Sequence, residues 1–357
     1  MSNSILNNIE EIKKLDSKNM LGSLQLLPKQ VEEVWECAKK LKIPANYKRV
    51  KNIVVLGMGG STLGAHIIKS VFFDELKAPL EIVNGYHIPA YVDKNSLVVV
   101  SSYSGTTEEP LFAMKEADKR KAKMAIITSD GDLAKIGLAR KIPSLIFSTN
   151  NNPCGSPRMG LGYLIVGQMI LFAKAGLIKL SAKDVNNIVV ALSKYDVEFG
   201  TANLDNNLAK EMATNLFGKS VWFLGAQHLS GNAHAAANQT NENAKRFAGY
   251  FLIPELNHHL MEGMIYPDNN KNSLGFVLFE SALYDVRLQK RFDITKKVLE
   301  KNEIKYWSYR ANEKTKILQA CEVLVFGSYV SYYGAMLQGI DPTAIPFVDF
   351  FKEQLKK

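Results

Sequence analysis

Residues 96–121 read SLVVVSSYSGTTEEPLFAMKEADKRK. The run SLVVV is short, β-branched and free of charge, the pattern of a strand buried on both faces. A polar stretch follows it, with Ser102, Ser104, Thr106 and Thr107 set around Gly105. Glu108 and Glu109 then open an amphipathic helical segment. Strand, polar loop and helix in that order form half of a βαβ unit, and a chain of such units implies a parallel sheet.

The theme recurs on both sides. NIVVLGMGGSTLGAHIIKSVF (52–72), LEIVNGY (80–86), KMAIITSDGDLAKIGLARK (123–141) and PSLIFST (143–149) supply further strands with loops and helices. The first 50 residues read as helical, with apolar residues at helical spacing in NNIEEIKKL and PKQVEEVWECAKKLKI and Pro28 suited to a first turn. A long helix is expected over RMGLGYLIVGQMILFAKAGLI, and a polar helical connection over 184–218. The plan then starts again in KSVWFLGAQHLSGNAHAAANQTNENAKRFAG, with SLGFVLFES and EVLVFGSYVSYYGAMLQG as further strand and helix candidates. ITKKVLEKNEI should be a helix before the strand KYWSYR. The expected division is a helical segment over 1–50, a first α/β domain over 51–195 and a second over 196–357 with a C-terminal helix. Right-handed crossovers put helices on both faces of each parallel sheet.

Composition narrows the function classes. The chain has 357 residues, 46% hydrophobic and 22% charged, as in an ordinary globular protein able to bury a sizeable core. Cys37, Cys154 and Cys321 stand far apart, which argues against a disulfide framework or a cysteine-ligated metal. The N-terminal stretch has no unbroken apolar run like that of a secretory signal, and no window is apolar enough to span a bilayer, so the cytoplasm is the expected location. The net charge of +9 suits an anionic partner. Lysine clusters such as KRKAK (119–123) and the terminal KEQLKK read as solvated helix faces, with no interleaved aromatics to suit a single-stranded nucleic acid. A phosphorylated metabolite remains.

Two loops suit such a ligand. GMGGSTLGA (57–65) places glycines before a helix N-terminus, where backbone can approach an anion. Its spacing fits neither GxGxxG nor a Walker loop, which disfavours a dinucleotide-dependent dehydrogenase. The serine loop lies on the same carboxyl edge of the sheet. Ser102, Ser104 and Thr107 can donate to phosphate oxygens without any lysine; the plain alternative is a hydroxyl-rich helix cap.

GMGGS, SSYSGTTEE and ITSDGDLA in this order resemble the SIS (sugar isomerase) domain family. NENAK (241–245), PELNHH (254–259) and DPTAIPFVDFFKEQL (341–355) narrow the likeness to bifunctional phosphoglucose/phosphomannose isomerases, from Gly57 to the C-terminus. The resemblance implies a phosphosugar substrate, aldose–ketose isomerisation through a cis-enediol, no cofactor and no metal. It implies that Gly59, Gly60 and Ser61 line the sugar site and that Ser102, Ser104 and Thr107 hold the phosphate. By the same resemblance Arg158 stabilises the intermediate, Glu242 moves the C1/C2 proton and His258 opens the ring. Thr343 and Lys352 close the site, with Thr343 making room for the mannose epimer. It also implies a homodimer, with His258 contributed across the interface. The residue types fit: a carboxylate can act as base, an imidazole titrates near neutrality and a cation steadies an oxyanion.

Each residue also has a plainer reading. Glu242 could pair with Lys245 or Arg246 one turn on. His258 or His259 could be a surface or capping histidine, Arg158 a capping or pairing group, and Lys352 a solvated helix lysine. His66, His87, His228 and His234 are read as structural. Two departures stand out: a threonine follows the glycine in SGTTEE where relatives more often have asparagine, and LNHH puts a second imidazole where LNHN is common. A non-catalytic phosphosugar sensor of the same fold is the main alternative. The isomerase part of a glucosamine-phosphate synthase is disfavoured, because Ser2 follows Met1 where that enzyme has a cysteine nucleophile.

Overall fold

The computed structural model describes residues 5–355. Ser2 and the last two lysines of KEQLKK lie outside them. Among the described residues nine strands form two sheets. The first has β1 (Asn52–Leu56), β2 (Leu80–Val83), β3 (Ser96–Ser101), β4 (Lys123–Thr128) and β5 (Ser144–Ile146), in the order β2-β1-β3-β4-β5. The second has β6 (Ser220–Gly225), β7 (Ala248–Leu252), β8 (Leu274–Ser281) and β9 (Lys305–Ala311), in the order β7-β6-β8-β9. Every neighbouring pair is parallel, as the alternation of strand and helix requires.

The period of two in a strand sorts the apolar runs between two cores. Val54, Leu56, Val98, Val100 and Ile126 face an outer cluster with Met114 and Leu133 of the helices Glu108–Lys119 and Gly131–Ala139. Ile53, Val55, Leu97, Val99 and Ile127 face the other way, into a core that continues through Phe223, Val277 and Phe279 of the second sheet. One continuous apolar mass therefore joins the two sheets.

The helix Lys316–Gln338 runs through that mass and buries residues 319–337. Of the two strand and helix candidates, SLGFVLFES contains β8, and EVLVFGSYVSYYGAMLQG lies in this helix up to Gln338. Tyr329, Tyr332 and Tyr333 satisfy their buried hydroxyls with Asp196, Asp16 and the Phe199 carbonyl, which ties the helix to the N-terminal segment and to the helix Ala182–Phe199. The expected division at 195/196 falls inside Ala182–Phe199. No helix follows LEIVNGY; β3 is reached through turns. Among the described residues no helix is long and apolar enough to cross a membrane.

The helices Gly60–Val71 and Ser230–Asn243 pack antiparallel at the seam between the sheets. Gly231 lies against the backbone of His66 and Ile67, where a Cβ would come within 2.6 Å. At the other end, Gln239 Nε2 donates to the Arg158 carbonyl at 3.1 Å, beside Gly60. This close crossing brings the end of one helix over the carboxyl edge of the first sheet. Gly231→Val should force the helices apart and lower the unfolding free energy by about 2–3 kcal/mol. Urea denaturation of the two proteins measures it; an unchanged midpoint would mean that the seam yields freely.

Candidate active site

The serine loop is held before any ligand arrives. Ser102 is buried, and its Oγ accepts from the Gly105 N–H at 3.1 Å and shares a hydrogen bond with Thr107 Oγ1 at 2.9 Å. Ser104 and Thr106 are exposed and hydrogen-bonded to each other at 3.1 Å. Gly105 has φ +71°, and a Cβ there would lie 1.7 Å from the Asp130 carbonyl oxygen. The SDGD loop is the wall behind it: Ser129 Oγ donates to the Tyr103 carbonyl at 2.6 Å. Thr107 stands at the N-cap of Glu108–Lys119, yet its side chain bonds Ser102 and caps no amide. The plain capping reading does not describe this loop. The first-turn N–H groups face it uncapped, which favours an anion.

The glycine loop lies alongside. Ser61 Oγ accepts from the Tyr103 N–H at 2.9 Å, tying the two loops together. A Cβ on Gly60 would lie 2.9 Å from the Arg158 nitrogen, so this glycine lets the Arg158 loop pack against the helix start. Gly59 has φ +49°, and a Cβ there would meet nothing within 4 Å: that position borders open space. Asn152 Nδ2 donates to the Tyr103 hydroxyl at 2.7 Å and to the Ser156 carbonyl at 2.9 Å, which fixes the loop leading to Arg158.

Arg158 is 2% exposed and bonded to four acceptors from two other parts of the chain. Nε donates to Asn243 Oδ1 at 2.6 Å and Nη1 to Glu242 Oε2 at 3.1 Å. Nη2 donates to the carbonyls of Pro342 and Thr343, at 3.0 and 3.1 Å. Burial lowers its pKa from the ordinary guanidinium value, and Glu242 opposes that shift. Four acceptors take four of the five guanidinium N–H groups and leave one on Nη1. The partner of Glu242 is therefore Arg158; Arg246 instead donates to the Leu216 carbonyl and Gln338. Glu242 is 32% exposed, and among the described residues its second oxygen makes no hydrogen bond. Thr343 is buried, and its Oγ1 has no partner among the described residues.

Two expected residues stand apart. His258 is exposed, and its ring makes no hydrogen bond among the described residues; His259 pairs with Glu255 at 2.8 Å. The helix Ser230–Asn243 connects the carboxyl end of β6 to the amino end of β7, so Glu242 precedes β7 while His258 follows it. The two residues therefore belong to connections at opposite ends of β7. Lys352 lies exposed on the helix Pro346–Gln354, which buries none of its residues and leaves Phe347, Phe350 and Phe351 bare. Asn243 and Lys245 were legible only as part of NENAK; Asn243 is fully buried, a place where an amide needs partners.

A cavity of about 650 Å³ opens at the other end of the helix pair, lined by His66, His228, His234, Tyr250, Phe73 and Lys316. It includes neither the serine loop nor the Arg158–Glu242 pair. Burial lowers the pKa of all three histidines, that of His66 to about 4, so they are neutral at pH 7. Among the described residues no cluster of three or more His, Cys, Asp or Glu could hold a metal.

Comparison with known proteins bears on this arrangement. Residues 47–135 match the SIS domain, and residues 205–355 match the bacterial phospho-glucose isomerase C-terminal SIS domain. A bifunctional phosphoglucose/phosphomannose isomerase of Caldicellulosiruptor bescii is 31% identical over 94% of this chain and 98% of its own. One from Thermoplasma volcanium is 29% identical over 91% of this chain and 98% of its own. In fold, the chain is similar to a hypothetical protein from Thermus thermophilus, with a TM-score of 0.75 at 16% identity over 97% and 93% of the two chains.

Gly105→Ala should break the serine loop, by left-handed backbone strain plus collision with Asp130. A loss of about 2 kcal/mol or more in unfolding free energy is expected, with weakened binding of inorganic phosphate. Chemical denaturation and calorimetry on the variant read both; native stability together with native phosphate affinity would contradict the role given to this glycine.

Proposed function

The chain belongs to the bifunctional phosphoglucose/phosphomannose isomerase family, and on that premise we propose that it interconverts glucose 6-phosphate, and mannose 6-phosphate, with fructose 6-phosphate. The observation that carries the reading is the Glu242 carboxylate, 3.1 Å from a buried arginine whose loop packs against the glycine loop at Gly60. A base for this reaction must be ionised and still reachable. Arg158 holds one Glu242 oxygen in place, and the unbonded oxygen is available to a carbon acid.

Each step then has a residue. Ser102, Ser104, Thr107 and the uncapped amides of the following helix hold the phosphate. Gly59, Gly60 and Ser61 border the sugar, with the open space at Gly59 admitting it. Glu242 takes the proton from C2 of the aldose and returns it to C1, through a cis-enediol. The remaining Nη1–H of Arg158 steadies the negative oxygen as it develops. Thr343, with its unpaired buried hydroxyl, faces the epimer-distinguishing end of the substrate. Lys352 assists ring opening once its helix covers the ligand.

Ring opening by His258 requires a second copy of the chain. Glu242 and His258 of one chain belong to connections at opposite ends of β7, and β7 is an edge strand, so the loop carrying His258 stands at the rim. This supports a homodimer in which each subunit completes its partner's site. The sensor alternative would need only the phosphate loop, and it makes no use of the reachable second oxygen of Glu242.

Glucose 6-phosphate formation from fructose 6-phosphate, followed through a coupled dehydrogenase, tests the reading, with mannose 6-phosphate as a second substrate. Glu242→Gln should lower kcat by about 10³-fold or more while phosphosugar binding persists. Binding without turnover of either sugar in the native protein would favour the sensor. Mixing tests the shared site: Glu242→Gln and His258→Ala, each inactive alone, should regain about a quarter of native activity after co-refolding, because half of the dimers are mixed and each holds one intact site. No recovery from a mixture shown to contain hybrid dimers would place His258 within its own subunit's site.

A further inference from the structure

We propose that Lys245 is a positioning residue that locks the turn Asp341–Thr343 against the base-bearing end of the helix Ser230–Asn243. The proposal rests on the isomerase reading of the site. Lys245 Nζ donates to the carbonyls of Asp341 at 2.8 Å, Pro342 at 3.0 Å and Asn243 at 3.2 Å. An ammonium has three donors and no acceptor, so three carbonyls satisfy it in full. The Pro342 carbonyl also accepts from Arg158 Nη2 at 3.0 Å. One carbonyl is thus gripped by two cations, one of which also holds Glu242.

The backbone at this position makes the ammonium more telling. Lys245 has φ +48°, just past the helix C-cap, a left-handed site where glycine is usual. A lysine there is strained relative to glycine. A side chain placed there only to be solvated would keep its ammonium in water. Here the residue stays largely open while the ammonium turns inward to the turn. That turn carries Thr343 and leads into the helix that bears Lys352. If it slackens, two of the four acceptors of Arg158 move, and the fixed geometry of Glu242 moves with them.

The hold depends on the proton. Burial, and then the Arg158 charge, lower the Lys245 pKa to about 8, while Asp341 and Glu242 oppose the shift. The charged groups facing it are Arg158 from its own loop, Asp341 from the turn and Glu242 from the helix. The ammonium form grips the carbonyls, so the turn is held below about pH 8 and loosens as pH rises through that value.

Lys245→Gly and Lys245→Arg in the full chain test this. Glycine removes the ammonium and relieves the backbone, so Tm should stay level or rise. Its kcat/KM for fructose 6-phosphate should fall about tenfold, and hydrogen exchange over residues 340–346 should quicken. Arginine keeps a charge at all working pH values, so activity should largely return and the alkaline limb of the kcat/KM profile should move upward. Native kcat/KM or unchanged exchange in Lys245→Gly would overturn the proposal, as would a loss of activity matched by a loss of stability. If the native protein turns over neither sugar phosphate, the isomerase reading fails, and the exchange over 340–346 alone decides whether Lys245 holds the turn.

Discussion

A guanidinium removed from water costs several kcal/mol unless its N–H groups find acceptors. Arg158 sets that requirement at the centre of this molecule. Its acceptors come from the end of one helix and from a turn near the C-terminus, 84 to 185 residues away in sequence. The demand for acceptors explains why that turn, the helix end carrying Glu242 and Asn243, and the loop beside Gly60 all meet at one point. The charge that holds the architecture together also fixes one oxygen of the Glu242 carboxylate.

The sheets give that point its surroundings. Parallel strands put their loops on one edge, and the first sheet turns that edge toward the seam with the second. The antiparallel crossing of Gly60–Val71 with Ser230–Asn243 then delivers the end of a helix from one half to the loops of the other. Small residues at the crossing do this work: Gly231 allows the helix backbones to approach, and Gly60 lets the Arg158 loop reach the start of its neighbour. The neutral histidines fill the far end of the same crossing and carry no charge into it at pH 7.

Much of this was legible in the sequence, for physical reasons. Strands such as SLVVV announce themselves because parallel sheets bury both faces, and the serine loop stands out because hydroxyls suit neither a strand core nor a helix interior. Glu242 and Arg158 were legible as residue types in motifs; that they pair was not, because a contact across 84 residues leaves no local period. EVLVFGSYVSYYGAMLQG carried no amphipathic stripe to mark its helix, because burial on all sides erases one. The separation of Glu242 from His258 follows from the direction of β7, which short motifs do not convey. The inward turn of the Lys245 ammonium had no signature, since a lysine just past a helix end reads as solvated.

The helix Lys316–Gln338 occupies the middle of the shared core, yet it is made after all the strands of both sheets. Its tyrosines reach back to Asp16 near the start of the chain. Synthesis runs from the N-terminus, so both sheets emerge from the ribosome before the element that fills the space between them. Until residue 338 has been added, the faces of Ile53, Val99 and Phe223 lack part of their covering. The nascent chain therefore carries apolar sheet faces without their full cover until that helix has followed both sheets.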